Sequence, residues 1–312
     1  MAKSKRVTNG TCKLCQETNC DLVDSHIIPD FVIRWLRDIS TTKHLRTTNV
    51  PNRRTERGLT RNWLCSDCDN KKFGDSLEDP FAKEIFYPTL NSEEFSPLTY
   101  DSSLLRFCVS VLWRVLLIGI EDAERKNKQT GDKPPLAFIA DLQDQADFWR
   151  EFLVDENAEW KGQNVYLLRL GCEGLRPEDI GPRMNVYSKL SIDMSTHFDP
   201  FGEPIVYAKM GPFIICTPFI PYYNAFWTNG GIFPISPDEG ILSCGPYKLP
   251  DHFKNFLISQ ANIADEIYRK LSETQKNMID DLKEIHYTDF IKSEENVLIL
   301  LDMLESQANN PE

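Results

Sequence analysis

The chain has 312 residues, 41% of them hydrophobic and 26% charged, with a formal net charge of −12. That balance is ordinary for a folded globular protein and excludes a disordered, collagen-like or disulfide-scaffold chain. The length suits a small module followed by a larger one, expected at residues 1–90 and 91–312.

The charge is unevenly spread. Residues 1–72 hold 14 Lys and Arg against 8 Asp and Glu, a net of +6, while the remainder holds 21 against 39, a net of −18. A basic module on an acidic body fits a local phosphate-binding surface; it also fits docking of the two halves on each other, or chance. The start, Met1-Ala2-Lys3-Ser4-Lys5-Arg6, has no apolar run behind it. The most apolar segment, residues 109–120, is interrupted by Arg114 and is short for a bilayer span. The expectation is a cytoplasmic protein with no membrane partner, whose nine cysteines stay reduced.

In chain order, residues 1–9 read as a polar tail, followed by the knuckle Cys12-Lys13-Leu14-Cys15. Residues 22–28 read as a short β-branched strand stopped by Pro29. Residues 30–38 read as an amphipathic helix with Asp30 as its cap. Residues 40–62 form a long basic loop with little apolar content. Its Arg53, Arg54, Arg57 and Arg61 suit a nucleic-acid backbone, and a solvated insertion is the competing reading. A second knuckle, Cys65-Ser66-Asp67-Cys68, then opens a helix with Phe73, Leu77, Phe81 and Ile85 on one face. Pro80 is expected to kink or restart that helix and Pro88 to end it.

A polar connector at 89–103 separates the modules. The body then reads as an apolar helix at 104–120, a charged loop at 121–135 and an amphipathic helix at 141–153. Strands follow at 163–170, 184–192, 204–209, 213–219 and 222–233. Helices return at 252–285 and 289–306. The fold class is therefore α+β, with a mainly antiparallel sheet flanked by helices.

The paired knuckles carry the chemistry. A tetrahedral zinc site needs four soft ligands, and each Cys-x-x-Cys supplies two thiolates from one turn. Cys12, Cys15, Cys65 and Cys68 are thus the expected ligands of a structural zinc, with Cys20 near enough to be an alternative. Cys108, Cys172, Cys216 and Cys244 read as buried small hydrophobes. His26, inside the loop that the metal would close, reads either as a general base or as a structural histidine at a strand end. His44, His197, His252 and His286 have no motif around them.

Cys-x-x-Cys, then Ser25-His26-Ile27-Ile28-Pro29, then Leu64-Cys65-Ser66-Asp67-Cys68 at a helix start resembles the zinc-stabilised HNH, or ββα-metal, endonucleases. The likeness covers about residues 11–87. With Arg34-Trp35 and Pro51-Asn52-Arg53-Arg54, it is similar to a bacterial HNH-like subgroup. The resemblance implies a ββα-metal module, phosphodiester hydrolysis with His26 as base, and a role in bacterial defence against foreign DNA. It also implies a catalytic Mg²⁺ or Mn²⁺ on Asp69 and Asp24, since these ions prefer oxygen. The chain departs from the pattern at Ser25, where the family has a metal-binding Asp. It departs again at Thr60, where the family has Asn, and at Asp69, where it has His. Asn70, Asp75 and Glu78 are further oxygen ligands on the same helix. Asp69 also reads as a helix N-terminal carboxylate favoured by the dipole. The alternative is a non-catalytic zinc module that binds nucleic acid or protein, and a third reading leaves the work to the body. The expected partner is nucleic acid, DNA before RNA, with a protein partner or a second copy bound through residues 91–312.

Overall fold

A computed structural model describes residues 8–91, 96–131, 136–198, 204–219 and 224–309. Most of the tail, Pro134 and Pro135, and residues 220–223 lie outside them. So do residues 92–95, which adjoin the expected division after residue 90.

The first part pairs β1 (Thr8–Gly10), β2 (Cys20–His26) and β5 (Thr60–Cys65) in an antiparallel sheet ordered β1-β2-β5. Helix α1 (Asp30–Ile39) follows β2. Pro29, not Asp30, takes its N-cap position, and Asp30 sits in the first turn. The basic loop contains one small hairpin, β3 (Leu45–Arg46) with β4 (Arg54–Thr55). Helix α2 spans residues 67–91, and much of it is wound in wide π-type turns. Pro80 neither breaks nor ends it. The ring falls on the short α-turn Asp79–Phe81 between two π-type stretches, where the altered bonding register accommodates a missing N–H. Pro88 lies in the last turn, and the helix runs on to Asn91.

Beyond β6 (Leu98–Tyr100), helix α3 (Ser103–Thr130) continues ten residues past its expected end. Residues 121–130 are charged but are good helix formers, and an Arg125–Asp122 pair at 2.8 Å lies along them. At 28 residues α3 is long and apolar enough to cross a membrane, yet 72% of its most apolar stretch is buried inside the protein. That is the environment of a core helix. Helix α4 (Leu136–Val154) packs along it, with Trp113 Nε1 donating to the Ala146 carbonyl at 3.0 Å.

The body's main sheet is antiparallel in the order β7-β10-β9-β8: β7 (Tyr166–Arg169), β8 (Ile192–Phe198), β9 (Pro204–Met210) and β10 (Phe213–Pro218). Short helices α5 (Pro177–Ile180) and α6 (Asn185–Leu190) lie between β7 and β8. Residues 185–190, expected as strand, are thus helical. Every side chain of β9 and β10 is buried, so these strands read as near-continuous apolar runs rather than alternating ones, interrupted by Lys209 and Thr217. Val206, Ala208 and Met210 face the core shared with α2 and α3. Ile205 and Tyr207 face a second core with Trp227 and Phe253. Trp227 lies on helix α7 (Asn224–Asn229), where a strand was expected. After β11 (Gly240–Leu242) come helices α8 (Asp251–Arg269), α9 (Glu273–Ile285), α10 (Tyr287–Lys292) and α11 (Glu294–Asn309).

The first core is continuous from Cys12 to Ile235. Phe81 of α2 stacks on Phe107 of α3 at 3.9 Å between centroids, and Phe31 of α1 meets Phe86 edge-on at 5.1 Å. The knuckles and the strand bearing His26 are therefore seated on the body's central helix.

Candidate metal centre and the adjoining strand end

The knuckles converge because of strand register. Leu22 pairs with Cys65 and Val23 with Leu64, so β2 and β5 carry the start of the second knuckle back toward the first. Lys13 N donates to the Trp63 carbonyl at 2.8 Å, which ties the first turn to the same strand. The ligand atoms of Cys12, Cys15, Cys65 and Cys68 all lie within 4.8 Å of one another. Cys15 Sγ and Cys65 Sγ are 3.9 Å apart. Tetrahedral zinc with Zn–S near 2.3 Å places its sulfurs about 3.8 Å apart, so the donor set fits such an ion in element and spacing. Three of the four cysteines are buried.

The electrostatics favour one thiolate in the group, at Cys12, while burial pushes the Cys15 thiol up. The Cys68 thiol, hydrogen-bonded to Cys12, pulls Cys12 down to about 4 against the opposing effect of burial. The Cys65 N–H, 3.4 Å from Cys12 Sγ, acts in the same direction. Cys68, on the donor side of that bond, is pushed up. Such a cluster exchanges thiol protons for a cation on metal binding, and it can hold a metal ion such as zinc. Cys20 stands apart: its thiol donates to the carbonyls of Gly10 and Glu17 at 3.5 and 3.4 Å.

His26 closes β2 directly opposite Thr60 of β5. Its Nε2 is buried without a hydrogen-bond partner and lies 3.4 Å from Asp30 Oδ1. Below it, Arg114 of α3 donates from Nη1 to the His26 carbonyl at 2.9 Å and reaches Glu78 Oε1 of α2 at 2.8 Å. Burial pushes the Glu78 carboxyl up, Arg114 opposes this, and the charges of Asp69 and His26 act on it with opposite signs. Asp30, Glu78 and Arg114 thus surround the strand end. The sequence offered each of them only as a cap, a spare ligand and an interruption.

The remaining candidates are dispersed. Asp24 falls where the β2–β5 register shifts and pairs with Arg57 Nη1 at 3.4 Å. The Asp69 carboxylate, half-buried, has no hydrogen-bond or ion-pair partner among the described residues. Among these residues no second group of His, Cys, Asp or Glu converges as the cysteines do, so Asp24 and Asp69 form no ready cage for Mg²⁺ or Mn²⁺. Arg61 is held by Glu121 Oε2 at 3.0 Å, and Trp63 Nε1 donates to Oε1 of the same carboxylate at 3.1 Å. Arg54 reaches Gln275 and Met278 of α9. Arg53 is exposed, with its side chain unpaired among the described residues. The chain matches no protein-family model, no curated protein and no solved structure.

Proposed function

We propose that the zinc-pinned strands and helix form an HNH-like nuclease module acting on nucleic acid, DNA before RNA, with His26 as the general base. The observation that carries this reading is positional. His26 ends one strand of an antiparallel pair, the partner strand runs straight into Cys65, Cys68 and α2, and the imidazole Nε2 is left without a hydrogen bond. A zinc ion on the four cysteines would fix strand against helix and supply no chemistry of its own, because all four ligands are protein thiolates. Arg53, with no partner to lose, would meet a phosphate. Asp69 is the carboxylate free to take a divalent ion beside the site.

A second reading is a zinc module that binds nucleic acid without cutting it. Thr60 opposite His26 and Asp24 turned to Arg57 favour it. Supercoiled-plasmid cleavage by wild type and His26→Ala, with Mg²⁺, Mn²⁺ or EDTA and with zinc content measured in both, separates the two. Metal-dependent nicking that the substitution abolishes at unchanged zinc content is the expected result. No nicking, together with salt-dependent DNA binding, would establish the binding module instead.

A further inference from the structure

Two segments far apart in the chain run against each other at the edge of the second core. Residues 171–175 form the turn after β7, closed by the Leu175 N–H donating to the Cys172 carbonyl at 2.8 Å. Residues 243–248 lie between β11 and α8. The Tyr247 N–H donates to the Glu173 carbonyl at 2.9 Å. A Cβ at Gly245 would stand 2.5 Å from that same carbonyl oxygen, so the close approach of the two backbones requires glycine there. Leu175 and Leu249 anchor the two segments in the core.

This arrangement brings Cys172 and Cys244 together. The Cys172 thiol has Cys244 as a hydrogen-bond partner, and both cysteines act on the Tyr247 hydroxyl beside them. The two thiols differ in access. Cys172 is 1% exposed, and burial pushes its thiol up to about 12. Cys244 is only half-buried. An accessible thiol with a second thiol at its side is the arrangement of a sulfur that is oxidised and then resolved. Cys108 and Cys216 also lie near each other, but both are fully buried, so neither meets an oxidant.

We propose that Cys172 and Cys244 are a redox-active pair that hydrogen peroxide closes into a reversible disulfide. Peroxide transfers one oxygen to the Cys244 sulfur, giving a sulfenic acid and one water. The Cys172 sulfur then attacks the Cys244 sulfur. The S–S bond forms, the S–O bond breaks, and the departing hydroxide takes the Cys172 proton as a second water. The two thiols together lose two electrons and two protons, and the peroxide is reduced to two waters. A dithiol reverses the bond by exchange. The disulfide ties the end of edge strand β7 to the entry of α8 and closes the chain from residue 172 to residue 244 into one loop, which constrains the unfolded chain. The inference depends on neither the nuclease reading nor the zinc site.

The test is peptide mapping of the zinc-loaded full chain after brief treatment with hydrogen peroxide, with free thiols alkylated and no reductant in the digest. The expected product is a linked pair of peptides containing Cys172 and Cys244, lighter by two hydrogens than their sum and lost on adding dithiothreitol. Its yield is expected to fall sharply in urea, where folding no longer holds the pair together. Cys172→Ala, which keeps a small apolar group in the core, is expected to leave Cys244 as a sulfenic acid that dimedone labels. Cys20→Ser, at another half-buried thiol, is expected to leave the link unchanged. The wild-type map decides by itself should Cys172→Ala impair folding. Recovery of both residues as free thiols would overturn the proposal. So would a link formed equally well in urea, or Cys244 carried on to sulfinic acid while Cys172 stays free.

Discussion

Arg114 and Glu78 form a buried ion pair, Nη1 to Oε1 at 2.8 Å, between the central helix α3 and the π-wound helix α2. The same Nη1 also holds the His26 carbonyl, so one guanidinium positions the end of the strand that carries the candidate base. Arg114 is 2% exposed. Removing one partner of such a pair strands a buried charge and costs about 3–5 kcal/mol, whereas replacing both with apolar groups is far milder. Arg114→Leu is therefore expected to lower unfolding free energy by about 3 kcal/mol, and Glu78→Leu added to it is expected to restore part of that loss. Denaturant titration checks this. A single variant within 0.5 kcal/mol, roughly the surface-substitution range, would rule out the structural role.

Metal removal gives the second expectation. Cys12, Cys15, Cys65 and Cys68 close one compact thiol group, and binding a structural ion is itself folding free energy. A chelator strong enough to strip zinc is expected to lower the melting temperature. Cys65→Ser is expected to lose zinc from the purified protein. Cys20→Ser is the control: its thiol is engaged with Gly10 and Glu17 carbonyls outside the group, so full zinc occupancy should survive. Zinc content by elemental analysis decides between them.

What the sequence disclosed, and what it hid, follows from the range of the interactions. The knuckles were legible because metal ligation imposes local spacing, and the β2 strand because Pro29 punctuates it. The environment of His26 was not legible: Arg114 lies 88 residues away along the chain, and no local pattern announces which helix will sit beneath a strand end. Residues 185–190 carry β-branched and aromatic side chains that suggest a strand. They are helical because tertiary contacts override weak propensity. The Asp302 carboxylate meets the first N–H groups of that helix, and the Lys209 ammonium meets the Ser188 carbonyl near its end. The end of α3 is hidden for the reverse reason: the charge of residues 121–130 suggests a loop, but helix propensity prevails.

The turn between β9 and β10 touches helix α1 through Gly211. Its φ of +58° is left-handed, and a Cβ there would sit 2.7 Å from the Trp35 ring on α1. Gly131 has a similar φ of +62° with nothing within 4 Å. Alanine at Gly131, whose ψ of 129° places it outside the left-handed helical well, should incur only a backbone cost, about 1–3 kcal/mol. Gly211→Ala should incur a backbone cost of its own plus displacement of Trp35, and its melting temperature should fall further. Equal effects at the two sites would show that the Trp35 contact contributes nothing.

Lys209 gives a pH dependence with a definite sign. It is fully buried, and burial pulls its ammonium down to about 7 against the pull of Asp193. The unfolded side chain, with its ordinary value of 10.5, holds a proton that the folded one has released. Between pH 7 and 10.5 the unfolded state therefore binds more protons, and stability rises with pH by up to about 1.4 kcal/mol per unit from this group. Burial pushes the Cys108 and Cys216 thiols up, and these act in the opposite direction above their unfolded values. The lysine is isolated by subtraction: wild-type stability minus that of Lys209→Met should grow from pH 7 to pH 9. A flat difference would mean that the ammonium stays charged on its three carbonyl partners.

The arginines of the basic loop should separate by what already holds them. Arg61 shares Glu121 with Trp63, and Arg54 is engaged by Gln275 and Met278, so each links the loop or its strand to a helix of the body. Arg53 is exposed, with no side-chain partner among the described residues. A phosphate contact contributes close to one unit to the slope of log affinity against log salt concentration. Arg53→Ala should therefore weaken DNA binding uniformly across sequences, reduce that slope by about 1 and leave the melting temperature unchanged. Arg61→Ala should instead lower the melting temperature, because Glu121 Oε2 loses its ion pair and keeps only the contacts of Oε1 with Trp63 and Lys13. Fluorescence anisotropy over a salt series, with thermal unfolding on the same samples, distinguishes the two. If Arg53→Ala leaves the slope unchanged, the loop does not contact the phosphate backbone, and its basic character serves only its docking on α9.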